Sequence, residues 1–144
     1  MKYIGLTDSK ENISKDLAEK IHIEFLKADF TLLTKYVWDN VTNKIIKRED
    51  TLGIPERRYL PALTISELGK ILPNNIATMR VNHKEYGRKL YLCDHIHNIR
   101  FGARPREEFH FEEVEARGIR FLQLIIDNPE LLEHIKNGAI NDKG

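Results

Sequence analysis

The chain has 144 residues, 41% of them apolar and 31% charged, which supplies one hydrophobic core and is too apolar for a disordered segment. Its 23 basic and 22 acidic residues leave a net charge of +1, unlike the basic surplus of a typical nucleic-acid-binding domain. The single cysteine, Cys93, excludes an internal disulfide and a four-cysteine zinc site, and no apolar run approaches the roughly 18 residues that span a membrane. Met1–Asp8 lacks the long apolar segment of a secretory signal, so the expected location is the cytoplasm.

The first predicted element is a helix over residues 9–27. Asp8 and Glu11 have capping-box spacing, and Ile13, Leu17, Ile21 and Phe25 recur every four residues as one apolar stripe. Phe30–Trp38 is rich in β-branched and aromatic residues and predicts a strand. A turn over Asp39–Asn43 and a return strand over Lys44–Arg48 complete a hairpin, with Phe30, Leu32, Tyr36 and Trp38 on one face. Tyr36 and Trp38 fit a core face better than an exposed aromatic platform.

A loop containing Gly53, Pro55 and Pro61 follows, and Thr64 and Glu67 form a second capping box. The short helix it starts buries Leu68, Ile71 and Leu72 and stops at Pro73. Ile76–Val81, a turn at Gly87 and Lys89–Cys93 predict a second hairpin, and Ile96–Phe101 a further strand. The last long helix is expected over Glu107–Ile126, with Val114, Gly118, Phe121, Leu122 and Ile125 as its buried stripe. Gly118 in mid-helix points to close packing. A short helix follows Asn128-Pro129, Asn being its cap and Pro its first residue, and Asn137-Gly138 closes it. The whole, residues 1–144, is expected to be a single α+β domain, a small antiparallel sheet of hairpins packed against an N-terminal and a C-terminal helix.

Charge is distributed unevenly along this chain. Between Arg80 and Arg106 there are seven Lys and Arg residues against two acids, and three of the six histidines, His83, His95 and His97, lie in the same window. Glu107–Glu115 then carries five glutamates. Arg80, Lys84, Arg88, Tyr91, His95, His97, Arg100, Arg104 and Arg106 are the candidate ligand-binding residues. Gathered at one end of the sheet they could hold phosphates by charge-assisted hydrogen bonds, with Tyr86, Tyr91 and Phe101 near enough to stack on a base. The plainer alternative is that Glu107, Glu108, Glu112 and Glu113 pair with these arginines.

Cys93-Asp94-His95-Ile96-His97 admits two readings. On an unbroken strand Cys93, His95 and His97 share one face and could ligate zinc in a metal-dependent enzyme. Asp94-His95 could equally be a turn between strands, and the plainer reading of the segment is a polar sheet face. No Gly-rich phosphate loop and no serine nucleophile elbow is present, and no catalytic residue is assigned.

The layout resembles that of short accessory proteins encoded by phages and mobile elements of gut bacteria. The matching stretches are Leu60-Pro61-Ala62-Leu63-Thr64-Ile65-Ser66-Glu67-Leu68-Gly69-Lys70-Ile71-Leu72-Pro73 and the amphipathic helix after Pro105. The resemblance implies an accessory protein and carries over no catalytic residues; the expectation is a non-enzymatic cytoplasmic protein without a cofactor. Together with the basic segment it favours binding a host protein or an anionic small molecule, including a nucleotide second messenger of bacterial defence, over binding nucleic acid. An edge strand could also support a homo-oligomer.

Overall fold

Ile13, Leu17, Ile21 and Phe25 are all buried, and that stripe fixes helix α1 (Lys15–Lys27) against the rest of the chain. The computed structural model describes residues 11–51, 59–83, 87–100 and 104–135. Residue Asp8 lies outside that set. The cap of α1 is Ser14, whose Oγ accepts from Leu17 N at 3.3 Å, so the helix starts later than residue 9. Ahead of it, Asn12 bridges to Thr64 and Ile13 N donates to Leu63 O, which commits this segment to a neighbouring strand instead of a first helical turn.

The expected strand over Phe30–Trp38 shrinks to β1 (Tyr36–Asp39). Asp29 adopts φ 51° and Phe30 N donates to Phe25 O, so residues 28–30 close the helix, and Phe30 stacks edge-on against Phe25 at 4.9 Å. β-Branched residues extend only where a partner strand accepts them. β1 has two such partners: β2 (Lys44–Lys47) and β3 (Tyr59–Pro61), both antiparallel, in the order β2-β1-β3. Pro61, expected in a loop, ends β3. The β1–β2 turn is an Asx turn in which Val41 N donates to Asp39 Oδ1 at 2.9 Å. Trp38 is half-buried and packs against the core, its Nε1 donating to Ile13 O at 2.9 Å. A single-turn 3-10 segment, Arg48–Thr51, follows β2.

Helix α2 (Ile65–Ile71) begins with the complete capping box: Thr64 Oγ1 accepts from Glu67 N, and Glu67 Oε1 accepts from Thr64 N. Strands β4 (Ile76–His83) and β5 (Arg88–His95) form a separate two-stranded antiparallel sheet in which Arg80 faces Tyr91. Gly87 supplies φ +60° at their turn; Lys84, Glu85 and Tyr86 lie outside the described residues.

Two further expectations are corrected here. Ile96–Phe101 is not a strand: residues Ile96–Arg100 form the short helix α3, and Phe101 lies outside the described residues. The helix expected over Glu107–Ile126 is a 3-10 turn at Arg106–Glu108, an extended step, and then α4 (Glu113–Asp127). The step exists because His110 exchanges both backbone hydrogen bonds with Tyr91, each 2.8 Å long, which is incompatible with helix. Helix α5 (Glu130–His134) follows Pro129 without a side-chain cap from Asn128, and Asn137-Gly138 lies outside the described residues.

The architecture is α+β. α1, α2, β3 and α4 enclose one core of Ile13, Leu17, Ile21, Leu63, Leu68, Val114, Phe121 and Ile125. At its tightest point α4 approaches α1 over Gly118; a Cβ there would meet Ile13 Cγ2 and Leu17 Cδ2, each at 2.7 Å. Among the described residues no helix is long and apolar enough to cross a membrane.

Candidate functional site

Asp94 decides the geometry of the basic segment. It is the penultimate residue of β5 and is buried. Its Oδ1 accepts from His95 N at 2.8 Å and from Asn98 Nδ2 at 3.4 Å, so the carboxylate folds the following residues into α3 instead of letting the strand continue. Its Oδ2 accepts from Arg104 Nη1 at 2.7 Å, while Arg120 Nη2 stands 3.4 Å from Oδ1 and Arg120 Nε donates to Cys93 O at 2.8 Å. Burial opposes ionisation of Asp94, but Arg104, the His95 N–H, Arg120 and Asn98 together outweigh it and hold the carboxyl below its ordinary value. Sequence reasoning missed Asp94. The only local signal is an acid directly before a histidine in an apolar strand pattern.

The eight described candidate ligand-binding residues do not all converge on one place. Arg104 is occupied by Asp94 and by Glu108, and those two carboxylates raise its pKa, Glu108 contributing most. Arg88 pairs with Glu112 at 3.3 Å and lies over the Phe111 ring at 4.6 Å. Arg106 covers the same ring at 4.9 Å and donates to Phe109 O. Tyr91 is half-buried against the core, its backbone joined to His110. Arg80 is exposed in mid-strand on β4, and Lys84 lies outside the described residues. Glu108 and Glu112 thus absorb part of the positive charge that the sequence suggested was available.

What does converge is a smaller group where β5 turns into α3. Asn75, His95, Ile96, His97, Asn98 and Arg100 line a cleft of about 440 Å³. Asn75 Nδ2 lies 3.3 Å from His95 Nδ1, which sets the imidazole orientation across the mouth of the β4–β5 ladder. His97, Asn98 and Arg100 are exposed on α3. Five of the six lining side chains carry nitrogen donors, and none is a carboxylate. Asp94, next to His95 in the chain, turns its carboxylate to Arg104 and Arg120. Arg100 makes no ion pair with a described residue.

Cys93 and the histidines do not form the metal site that an unbroken strand would allow. The Cys93 thiol is buried in the core, His97 has moved onto α3, and among the described residues no group of three His, Cys, Asp or Glu side chains is placed to hold a metal ion. Burial pushes the Cys93 thiol up, against the smaller opposing influence of Thr78, Arg117 and Arg120, so little thiolate exists at neutral pH. A hollow of about 290 Å³ beside it is lined by Glu107, Glu108, His110 and Arg120 among others, a mixed-charge lining that does not suit an anion. Comparison with protein-family models, with curated proteins and with solved structures finds no match to this chain.

Proposed function

We propose that this protein is a non-catalytic binder of a phosphate-bearing small molecule, held in the cleft of Asn75, His95, His97, Asn98 and Arg100. The observation that carries the reading is the lining itself: a guanidinium, two imidazoles and two carboxamides around a space of about 440 Å³, with no carboxylate among them. Arg100 can take a phosphate in a bidentate grip, the amides and imidazoles supply further donors, and Ile96 offers an apolar contact for a sugar or base. One arginine with mostly neutral donors suits one phosphate group, not the repeating charge of a nucleic-acid backbone, and the net charge of +1 agrees.

The resemblance of the sequence layout to phage and mobile-element accessory proteins suggests a biological setting for such a binder. In the bacterial cytoplasm it would withhold a nucleotide signal of host defence from its receptor.

Isothermal titration against a panel of mononucleotides and cyclic dinucleotides tests the reading. Binding of at least one, abolished by Arg100→Ala, is expected, with log affinity falling only shallowly against log salt because a small ligand carries no condensed counterion atmosphere. No heat with any nucleotide, or affinity untouched by Arg100→Ala, would overturn it. A much steeper slope with single-stranded DNA would instead indicate nucleic-acid binding.

A further inference from the structure

The outer edge of β4 presents hydrogen-bonding groups that no described strand uses. Their identity follows from the pairing on the other edge. Ile96 N donates to Asn75 O at 2.8 Å, and the register runs on through Ile76 opposite His95 and Ala77 opposite Asp94. In an antiparallel pair, hydrogen-bonded and non-hydrogen-bonded positions alternate. Ala77, Met79 and Val81 therefore turn their N–H and C=O groups toward β5, and Ile76, Thr78, Arg80 and Asn82 turn theirs outward. Tyr91, which faces Arg80, gives an independent check: both its backbone bonds go to His110, away from β4. Ile76 N is taken by Pro73 O, which leaves Thr78, Arg80 and Asn82 as the stretch that no described strand pairs.

Natural edge strands are blunted by proline, lysine, bulges or inward charges. β4 has no proline, lysine or acid, pairs with β5 without a bulge over eight residues, and carries Arg80 as its only fixed charge. A two-stranded sheet is also marginal by itself.

We infer that β4 pairs antiparallel with β4 of a second copy of this chain, about a two-fold axis at Met79. A two-fold places one residue opposite itself, and hydrogen bonding requires outward residues to face outward residues. An axis at Arg80 sets two guanidinium groups directly opposite one another, which like charges disfavour. An axis at Thr78 leaves Asn82 beyond the end of the opposing strand. The axis at Met79 engages the whole open stretch: Thr78 faces Arg80 of the second copy, and Asn82 faces Ile76, which contributes its carbonyl alone. On the other face Met79 meets Met79, and Ala77 meets Val81, so apolar side chains cover one another. The product is one four-stranded sheet in the order β5-β4-β4-β5, an isologous assembly independent of the anion cleft.

The test combines light scattering of the full chain with two kinds of variant. The wild type is expected at twice the chain mass. Of the backbone hydrogen-bonding groups Arg80→Pro removes only an outward-facing N–H, along with an exposed side chain, and it spares every β4–β5 bond, so it is expected to be monomeric with an unchanged far-UV spectrum. Met79→Cys puts two thiols at a non-hydrogen-bonded pair, about 4.5 Å between Cα atoms, and should form a disulfide-linked dimer on mild oxidation. Ala77→Cys, which faces Val81 of the second copy and not itself and lies opposite Asp94 within its own chain, should cross-link far less. Buried Cys93 is common to both variants, and the cross-linking comparison does not depend on the proline variant folding. A wild type that is monomeric at every concentration, a dimer that survives Arg80→Pro, or Ala77→Cys cross-linking as readily as Met79→Cys would each overturn the inference. Monomeric protein that captures a foreign extended peptide on β4 would do so too.

Discussion

Replacing Asp94 by alanine tests the account of how the basic segment is folded. The carboxylate is buried, accepts from Arg104 at 2.7 Å and from His95 N at 2.8 Å, and lies 3.4 Å from both Arg120 Nη2 and Asn98 Nδ2. A charge-assisted hydrogen bond contributes about 1.5–3 kcal/mol, and removing one partner of a buried pair costs about 3–5 kcal/mol because the other charge is stranded. Here Arg104 keeps Glu108, and Arg120 keeps Cys93 O, so the stranding is partial. The expected loss is therefore nearer the lower bound, about 3 kcal/mol, or roughly 6–12 °C in Tm for a chain of this size. Urea unfolding of Asp94→Ala, Arg104→Ala and the double variant measures both the loss and the coupling between the two residues. A loss below about 1 kcal/mol, or additive single effects, would refute the reasoning. Arg100→Ala, at an exposed position without an ion pair to a described residue, should leave stability within about 0.5 kcal/mol of wild type.

Three further outcomes are expected. Gly118→Ala gains about 1 kcal/mol of helix propensity but drives a methyl to 2.7 Å from Ile13 and Leu17, so thermal melts should show a net loss of about 1 kcal/mol and a larger one for Gly118→Val. Thr64→Ala removes the acceptor for Glu67 N and should cost about 1–2 kcal/mol in urea unfolding. Burial lowers the pKa of both His22 and His110; at His110 Arg106 adds to the lowering and Glu115 opposes it. The unfolded chain therefore binds protons before the folded one, so stability is complete above the ordinary value of 6.5 and falls as pH drops below it. Urea midpoints across that range should decline, and His110→Gln should flatten the decline; a flat wild-type profile would contradict the burial argument.

Features specified by neighbours in sequence were legible before the fold was known. The stripe Ile13, Leu17, Ile21 and Phe25, the Thr64–Glu67 box and the glycine at the β4–β5 turn each act within one helical turn or hairpin. The close approach at Gly118 was legible for a related reason, since a helix tolerates glycine where a neighbour leaves no room. The errors share a cause. Phe30–Lys35 has strand composition but no partner strand among the described residues, so it stays irregular. Ile96–Arg100 has strand composition, but Asp94 turns the chain, and Asp94 is held there by Arg104 and Arg120 from later in the sequence. Tyr91 takes His110 out of the expected helix through backbone bonds that no side-chain pattern announces.

The candidate site divides in the same way. Local charge density was visible, whereas the neutralisation of Arg88 by Glu112 and of Arg104 by Asp94 and Glu108 depends on how α4 and the 3-10 turn lie against β5. Of the nine residues, His95, His97 and Arg100 remain at the cleft, joined by Asn75 and Asn98, whose neutral amides carry no charge signal.

The most direct test of the cleft is a proton–carbon NMR titration of the histidine imidazoles with inorganic pyrophosphate at constant pH. The account predicts saturable shifts confined to His95 and His97, absent in Arg100→Ala, while His22, His110 and His134 stay still. Shifts spread over all the histidines, or none at His95 and His97, would contradict it.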